Sequence, residues 1–152
     1  MHGVSGLSRH VAILRNSYHH WTGERLIAAG LEGEAAVQWL DAAPFAVVSH
    51  DAGPDPIFNY ANRTALQLFG LSWKEFTALP SRLSAGPMEQ GERARLLELV
   101  GRYGYIDDYA GIRISGSGRQ FRISNATVWN LLDEDGRYCG QAAMIPEWDD
   151  RL

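Results

Sequence analysis

The chain has 152 residues, 45% of them hydrophobic, and a formal net charge of −4. This fits one domain with a single core and argues against direct nucleic-acid binding, because phosphate recognition needs a basic surface. The single cysteine, Cys139, is typical of a reducing cytosol, and the sequence has neither a signal peptide nor a run near the ~20 apolar residues of a membrane span, so we expect a cytoplasmic protein that does not bind membranes.

The N-terminal segment has the pattern of an amphipathic helix. Apolar side chains recur in steps of four and three residues at Leu7, Val11, Leu14, Tyr18 and Trp21. A stripe of this kind must be buried, either against the chain's own sheet or against a second copy of the helix. Because Tyr and Trp are enriched at interfaces, we expect a homodimer formed partly through this stripe.

The next residues predict a short helix, two strands and two further helices. The short helix has Ala36, Val37 and Leu40 inward and ends at Pro44, after which strands are expected over 45–49 and 57–60. Asn62 can cap the following helix, and Gly70 can end it. Ser72 and Glu75 have the spacing of a capping box.

The second half of the chain predicts one more helix over 92–100 and then three antiparallel strands. Glycine-containing turns separate the strands 105–115, 120–132 and 138–145. Regular alternation along the long middle strand places six residues on one face: Phe121, Ile123, Asn125, Thr127, Trp129 and Leu131. The order of elements indicates an α+β fold, with a five-stranded antiparallel sheet and helices over one face.

This order, with Tyr60-x-Asn62 leading from a strand into a helix, resembles a PAS sensor domain. Longer blocks resemble the PAS-like MEKHLA family, and they lie at 49–70, 80–87, 111–123, 126–136 and 140–143. The resemblance implies an N-terminal helical extension over 1–42 and a PAS-like core over 43–148. MEKHLA domains occur in stand-alone bacterial proteins and at the C-terminus of plant class III homeodomain-leucine zipper factors; without a homeodomain or zipper, this sequence is similar to the bacterial form.

A PAS-like fold implies a ligand cavity between the helices and the sheet. We predict that Asn125 and Trp129 point into this cavity and that Phe69 and Trp73 form the opposite wall. The predicted ligand-binding residues are Tyr60, Asn62, Phe69, Trp73, Asn125, Trp129 and Gln141. An unpaired buried amide costs on the order of 1–3 kcal/mol, so the amides among them must pair with backbone or water, or must hold a small molecule.

The sequence does not identify a cofactor for this cavity. Haem needs an axial ligand such as histidine, and no histidine follows His50; we interpret the histidines as surface or capping residues. Flavin-binding PAS photosensors carry a reactive cysteine before the third strand, whereas Cys139 lies in the final strand, so both cofactors are disfavoured. His50, Asp51 and Asp55 form a His/carboxylate cluster, in which we interpret Asp51 and Asp55 as turn residues rather than metal ligands.

Two arginines on neighbouring strands have two possible roles. If Arg113 and Arg122 are cross-strand neighbours, they can bind a carboxylate or phosphate together. Alternatively, they lie on a solvated face and pair with Asp107 or Asp108. The sequence leaves this choice open.

The leading functional hypothesis is a non-enzymatic sensory or interaction module that binds a small molecule or a protein partner. One alternative is a small cofactor-free enzyme using the same cavity, with Tyr60, His50 or Asn125 as acid, base or oxyanion donor. Another alternative is a purely structural dimerisation domain.

Overall fold

A computed structural model of the chain describes residues 4–85 and 90–150. The helices in these ranges are α1 (Val4–Thr22), α2 (Gly33–Asp41), α3 (Arg63–Phe69), α4 (Trp73–Phe76) and α5 (Gln90–Tyr103), with a 3-10 helix at Ser81–Ser84. The strands are β1 (Ala46–His50), β2 (Phe58–Ala61), β3 (Tyr105–Ile114), β4 (Gln120–Leu132), β5 (Tyr138–Ile145) and β6 (Glu147–Asp149).

The strands form one antiparallel sheet in the order β2-β1-β5-β4-β3. β1 pairs along β5, from Ala46 opposite Ile145 to His50 opposite Gln141. This confirms the predicted five-stranded sheet and the predicted pairing of the first and last long strands. The short β6 pairs with β4 and was not predicted.

The predicted helix ends are confirmed. The Asn62 side chain accepts a hydrogen bond from the Ala65 N–H at the start of α3, and Gly70 ends α3 with a left-handed φ of 64°. Ser72 and Glu75 form the complete capping box at α4. These local signals determine where α3 begins and ends after β2 and where α4 begins.

A bulge at Asn125 divides β4 into two halves. Asn125 has a φ of 54°, and the register against β3 shifts beside it. Phe121 and Ile123 pack on the side of α3, and beyond the bulge Val128 continues that face, while Trp129 faces the other way. The predicted unbroken alternation from 121 to 131 is therefore wrong, because one extra residue reverses the face of everything after it.

The helices cover both faces of the sheet. α3 and α5 pack on one face, which we call the cavity face. α1 and α2 pack on the other, which we call the α1 face; there Leu14 is fully buried, and Tyr18 meets Trp129 edge to face with ring centroids 4.9 Å apart. The Trp21 indole N–H also donates to the Asn130 carbonyl at 2.9 Å.

The apolar stripe of α1 is therefore buried within its own molecule. The predicted use of this stripe in a homodimer is wrong, because the helix folds back over its own sheet, as the alternative allowed. Within residues 4–85 and 90–150, no helix combines the length and apolar character needed to cross a bilayer.

Candidate functional site

A cavity of about 60 Å³ lies between the cavity face of the sheet and the helices α3 and α5. Most of its wall is apolar and comes from Val48, Phe58, Phe69, Leu96, Ile123, Val128 and Ile145. Its polar groups come from His50, Ser84, Arg93, Tyr109, Arg113 and Gln141. A mainly apolar pocket with a few converging polar groups is the usual form of a small-molecule site.

His50 presents a hydrogen-bond acceptor to this cavity. Its Nδ1 lies 2.7 Å from the Asp51 carbonyl oxygen, and since a carbonyl can only accept, Nδ1 carries the ring proton. Burial lowers the pKa of His50, so the ring is neutral near pH 7 and Nε2 holds a lone pair. This Nε2 is buried and has no hydrogen-bond partner of good geometry among the described residues, although the Gln141 side chain is near enough to raise the pKa of His50 slightly against the effect of burial.

Gln141 presents a second acceptor, and a relay of amides fixes its orientation. The Val100 carbonyl accepts from Asn130 Nδ2 at 2.9 Å, so Asn130 Oδ1 faces the sheet interior and accepts from Gln141 Nε2 at 3.0 Å. Gln141 Oε1 is left buried without a partner in the described part of the chain. Gln141 is opposite His50 in the β1–β5 pairing, so the two unpaired acceptors belong to neighbouring residues.

The unpaired acceptors give the cavity a definite chemical preference. A buried polar atom without a partner costs about 1–3 kcal/mol, and two acceptors cannot satisfy one another while His50 is neutral. A bound N–H or O–H group would donate to one of these atoms, and a group with two such hydrogens could donate to both. The cavity wall thus presents two buried acceptors that lack a hydrogen-bond donor among the described residues.

Arg113 enters the cavity from β3 beside Tyr109. Its Nη2 donates to the Tyr109 hydroxyl at 3.0 Å and its Nη1 to the Ile112 carbonyl at 2.9 Å. Gly111, between the two residues on the same face, allows this contact, since a Cβ there would lie 2.6 Å from the Tyr109 hydroxyl. Arg113 is only 8% exposed, which is unusual for a charged residue.

Arg93 brings a second guanidinium to the same cavity from α5. It donates to the Ser81 hydroxyl in the 3-10 helix. Burial and the positive charge of Arg113 lower the pKa of Arg93 to about 10, and Asp55 has a weaker opposite effect. No carboxylate of the described residues lies within ion-pair distance of either guanidinium, so among these residues the two positive charges have no ion-pair partner.

Of the residues predicted to bind a ligand, Phe69 and Gln141 line the cavity. Tyr60, Trp73 and Trp129 instead pack together on the α1 face. Asn125 is exposed at the bulge and donates to Glu147 Oε2 at 2.7 Å. The predicted orientation of Asn125 and Trp129 into the cavity is wrong, because the bulge turns each away from the direction that regular alternation gives.

Asn62 has no hydrogen-bonding capacity left for a ligand. Its Oδ1 accepts from the N–H groups of Val47 and Ala65, each at 3.0 Å. Its Nδ2 donates to the carbonyls of Leu40 and Phe45, each at 2.9 Å. Asn62 therefore joins α2, β1 and α3 rather than facing the cavity.

Of the two roles considered for Arg113 and Arg122, the structure excludes a joint anion site. Arg113 pairs with Phe121 and Arg122 with Ile112 in the β3–β4 register, so the two side chains lie on opposite faces. The second arginine of the cavity is Arg93, which sequence reasoning missed. No local pattern marks it, since Arg93 meets Arg113 only when α5 docks on the sheet.

A histidine–serine pair on the α1 face resembles a catalytic arrangement but has the wrong proton order. His10 Nε2 lies 2.8 Å from Ser49 Oγ, and the Ser49 hydroxyl donates to Asn59 Oδ1 at 2.5 Å. The serine oxygen therefore accepts from His10, which cannot act as its base. Burial, with a smaller effect of the Arg9 charge, lowers the pKa of His10 to about 4, so the ring is a neutral structural donor at pH 7.

The turn between β1 and β2 has the role predicted for its aspartates. Asp51 Oδ1 accepts from the N–H groups of Gly53 and Ile57, both at 3.1 Å. Asp55 forms an ion pair with Arg82 at 3.0 Å. Across the described ranges, no group of three or more His, Cys, Asp or Glu side chains could hold a metal ion.

The fold is that of PAS domains. A PAS domain from Colwellia psychrerythraea superposes with a TM-score of 0.62 at 15% identity, covering 72% of this chain and 90% of the other. A light-oxygen-voltage domain studied with a flavin analogue gives 0.59 at 20% identity, covering 72% and 81%. An RNA-binding light-oxygen-voltage receptor gives 0.61 at 17%, covering 79% and 33%. At these identities the likeness concerns the fold alone.

The family follows from the sequence over the same region. A model of the MEKHLA domain matches residues 8–150, so the chain belongs to the MEKHLA domain family, as the sequence resemblance predicted. Curated proteins include no match to this chain. The comparisons agree with the fold of this chain. They give no information on the polar groups that line its cavity.

Proposed function

We propose that this protein is a non-enzymatic, PAS-like sensory module that binds a small molecule in the cavity between the sheet and α5. The observation that carries the proposal is the pair of buried acceptors, His50 Nε2 and Gln141 Oε1, which lack partners in the described structure. A protein does not keep two such groups beside an open volume without cost. Occupation by a ligand with a donor group removes that cost.

The arrangement of groups favours binding over catalysis. The acid, base and oxyanion donor considered for an enzyme were Tyr60, His50 and Asn125. Tyr60 packs on the α1 face, His50 lines the cavity, and Asn125 bonds to Glu147 at the bulge. The three groups do not converge on one reacting atom, which is the first requirement for acid–base chemistry.

Signal transmission has a structural candidate in α5. Leu96, Leu97 and Arg93 of this helix line the cavity, and Val100 anchors the amide relay to Gln141. A ligand that contacts both α5 and the sheet favours the conformation in which they are packed together. A protein partner or a second copy of the chain then binds according to the position of α5. It contacts a surface other than the apolar stripe of α1, which is buried. The homodimer and the cytoplasmic location stay predictions.

Native mass spectrometry of protein purified from its source organism tests the proposal. We expect a stoichiometric small-molecule adduct that is lost on denaturation. Ala143→Leu, which fills the cavity, should remove the adduct while the protein stays folded by circular dichroism. A wild-type protein with the bare chain mass, and with no small molecule released on denaturation, would contradict the proposal.

A further inference from the structure

The two ends of the cavity have complementary chemistry. At one end, the guanidinium groups of Arg93 and Arg113 lack a carboxylate partner among the described residues. At the other end, His50 Nε2 and Gln141 Oε1 accept but cannot donate. A ligand that satisfies both ends must carry an anionic group and a hydrogen-bond donor in the same molecule.

At the cationic end, the Arg113 side chain is buried and held in place by hydrogen bonds instead of being surrounded by solvent. It is 8% exposed, and its hydrogen bonds to Tyr109 and to the Ile112 carbonyl use two of its five N–H groups. The remaining N–H groups include donors that can meet a carboxylate in the two-pronged geometry that guanidinium favours. Tyr109, whose oxygen accepts from Arg113, keeps its own hydroxyl proton for the same anion.

The cavity is partly open to solvent, so its volume indicates how much of a ligand is enclosed. A cavity needs about 10–15 Å³ for each water-sized occupant, so the 60 Å³ present encloses roughly four to six non-hydrogen atoms. The wall between the polar ends is apolar, with Phe69, Ile123 and Val128 among its residues. A short carbon skeleton can make apolar contacts with this wall, whereas a fully polar ion such as phosphate cannot.

We propose that the cavity binds a short hydroxycarboxylate, with its carboxylate on Arg93 and Arg113 and its hydroxyl proton donated to one of the two neighbouring acceptors, His50 Nε2 or Gln141 Oε1. A hydroxyl suits the second end better than an ammonium group, because a further positive charge would be repelled by the arginines. This inference rests on the proposed function, since it names the ligand class of the same cavity.

Isothermal titration calorimetry on the full chain tests both ends without mutation. The probes are L-lactate and D-lactate, propionate without the hydroxyl, propane-1,2-diol without the carboxylate, and inorganic phosphate, all at matched ionic strength. We expect one lactate enantiomer to bind at least about tenfold more tightly than propionate or the diol, because each loss leaves buried polar groups unpaired. Equal binding of propionate or the diol, or tighter binding of phosphate, would overturn the inference.

Two variants then assign the carboxylate end. Arg93→Gln and Arg113→Gln should each weaken lactate binding about tenfold or more, while the matched control Arg122→Gln, on the opposite face of the sheet, should stay within about twofold. Should Arg113→Gln fail to fold, Arg93→Gln on α5 gives the same answer. Unchanged binding in Arg93→Gln would overturn the assignment.

The failure of this inference differs from failure of the proposed function. If no probe binds but protein from its source carries a neutral or differently charged metabolite, the cavity binds a ligand and the hydroxycarboxylate class is wrong. If no probe binds and the purified protein is empty, both the ligand class and the sensory proposal are wrong.

Discussion

The two faces of the sheet differ in how tightly the helices pack on them. On the α1 face, large side chains such as Leu14, Tyr18 and Trp129 fill the space between helix and sheet. On the cavity face, α5 leaves an open volume beside charged and unpaired polar groups such as Arg113 and Gln141. The comparison teaches that this fold can pack one side of a sheet tightly with large apolar side chains and leave buried polar groups beside a cavity on the other.

Both faces contain unpaired polar atoms, but in different surroundings. The Tyr60 hydroxyl and the Trp129 N–H have no partner in the described residues, yet each belongs to a large ring whose apolar burial outweighs the loss. His50 and Gln141 have unpaired atoms beside empty space and positive charge. His50 and Gln141 line the cavity, where a small molecule can reach them.

The largest expected effect tests the α1 face. Trp129→Ala removes a fully buried ring and should lower the free energy of unfolding by about 3–5 kcal/mol. The control Trp148→Ala changes an indole that is 37% exposed on β6 and should cost about 1 kcal/mol or less. Urea unfolding measures both, and a loss below about 1 kcal/mol for Trp129→Ala would contradict the packing of this face.

The variant Asn62→Ala tests the residue whose side chain joins α2, β1 and α3. It removes the side-chain acceptor of two N–H groups, those of Val47 and Ala65, and one donor from each of the carbonyls of Leu40 and Phe45, and we expect a loss of about 3–4 kcal/mol. Asn62→Asp keeps the cap but sets a carboxylate oxygen against two carbonyls, so it should be at least as destabilising. Asn16→Ala, on the exposed side of α1, is the control. Recovery of wild-type stability by Asn62→Asp would show that only the cap matters.

A pH titration tests burial at the edge of the α1 face. His10 has a folded pKa of about 4, below its ordinary 6.5, so the unfolded chain takes up the proton first as pH falls. Its contribution is present above pH 6.5 and lost towards pH 4, to a total of about 3 kcal/mol. His50 acts in the same direction.

The matched variants for this titration are His10→Asn and His20→Asn. His20 is exposed on the same helix. Chemical unfolding at pH 5 and pH 7.5 should show a smaller pH dependence in His10→Asn and an unchanged one in His20→Asn. Equal pH dependence of the wild type and His10→Asn would mean that His10 is not buried as described.

The smallest expected change in stability comes from a comparison of two adjacent residues that lie on opposite faces of the sheet. Ala143→Val adds volume towards the cavity, to which Ala143 contributes wall, and should stabilise by about 0.5–1 kcal/mol. Ala142→Val adds the same volume into the packed α1 face, where Ala142 is 3% exposed, and should cost about 1–3 kcal/mol. The same sign for both variants would remove the distinction between the faces.

Sequence reasoning succeeded where the determining contacts are local. The Asn62 cap and the Ser72 capping box each depend on residues three positions apart, so their side chains can be matched to backbone groups without knowing the fold. The antiparallel order followed from turns and strand lengths. Family resemblance then supplied the position of the cavity.

Sequence reasoning failed where one backbone angle or one docking event decides the outcome. The left-handed Asn125 reverses the second half of β4, and its only sequence signal is that apolar positions step by three from Ile123 to Ala126. The meeting of Arg93 with Arg113 depends on how α5 docks. His50 was interpreted as a surface or capping residue because its place in β1 next to Gln141 is set by a strand that arrives ninety residues later.

The position of β5 has a consequence for how this chain is made. β5 lies in the middle of the sheet, between β1 and β4, yet it is the last long strand to leave the ribosome. Until it arrives, the nascent chain consists of two hairpin-like halves, β1–β2 and β3–β4, each exposing an unpaired edge that can join other chains. The sheet therefore closes only after β5 has been synthesised, and we expect a chain truncated before Tyr138 to be prone to aggregation.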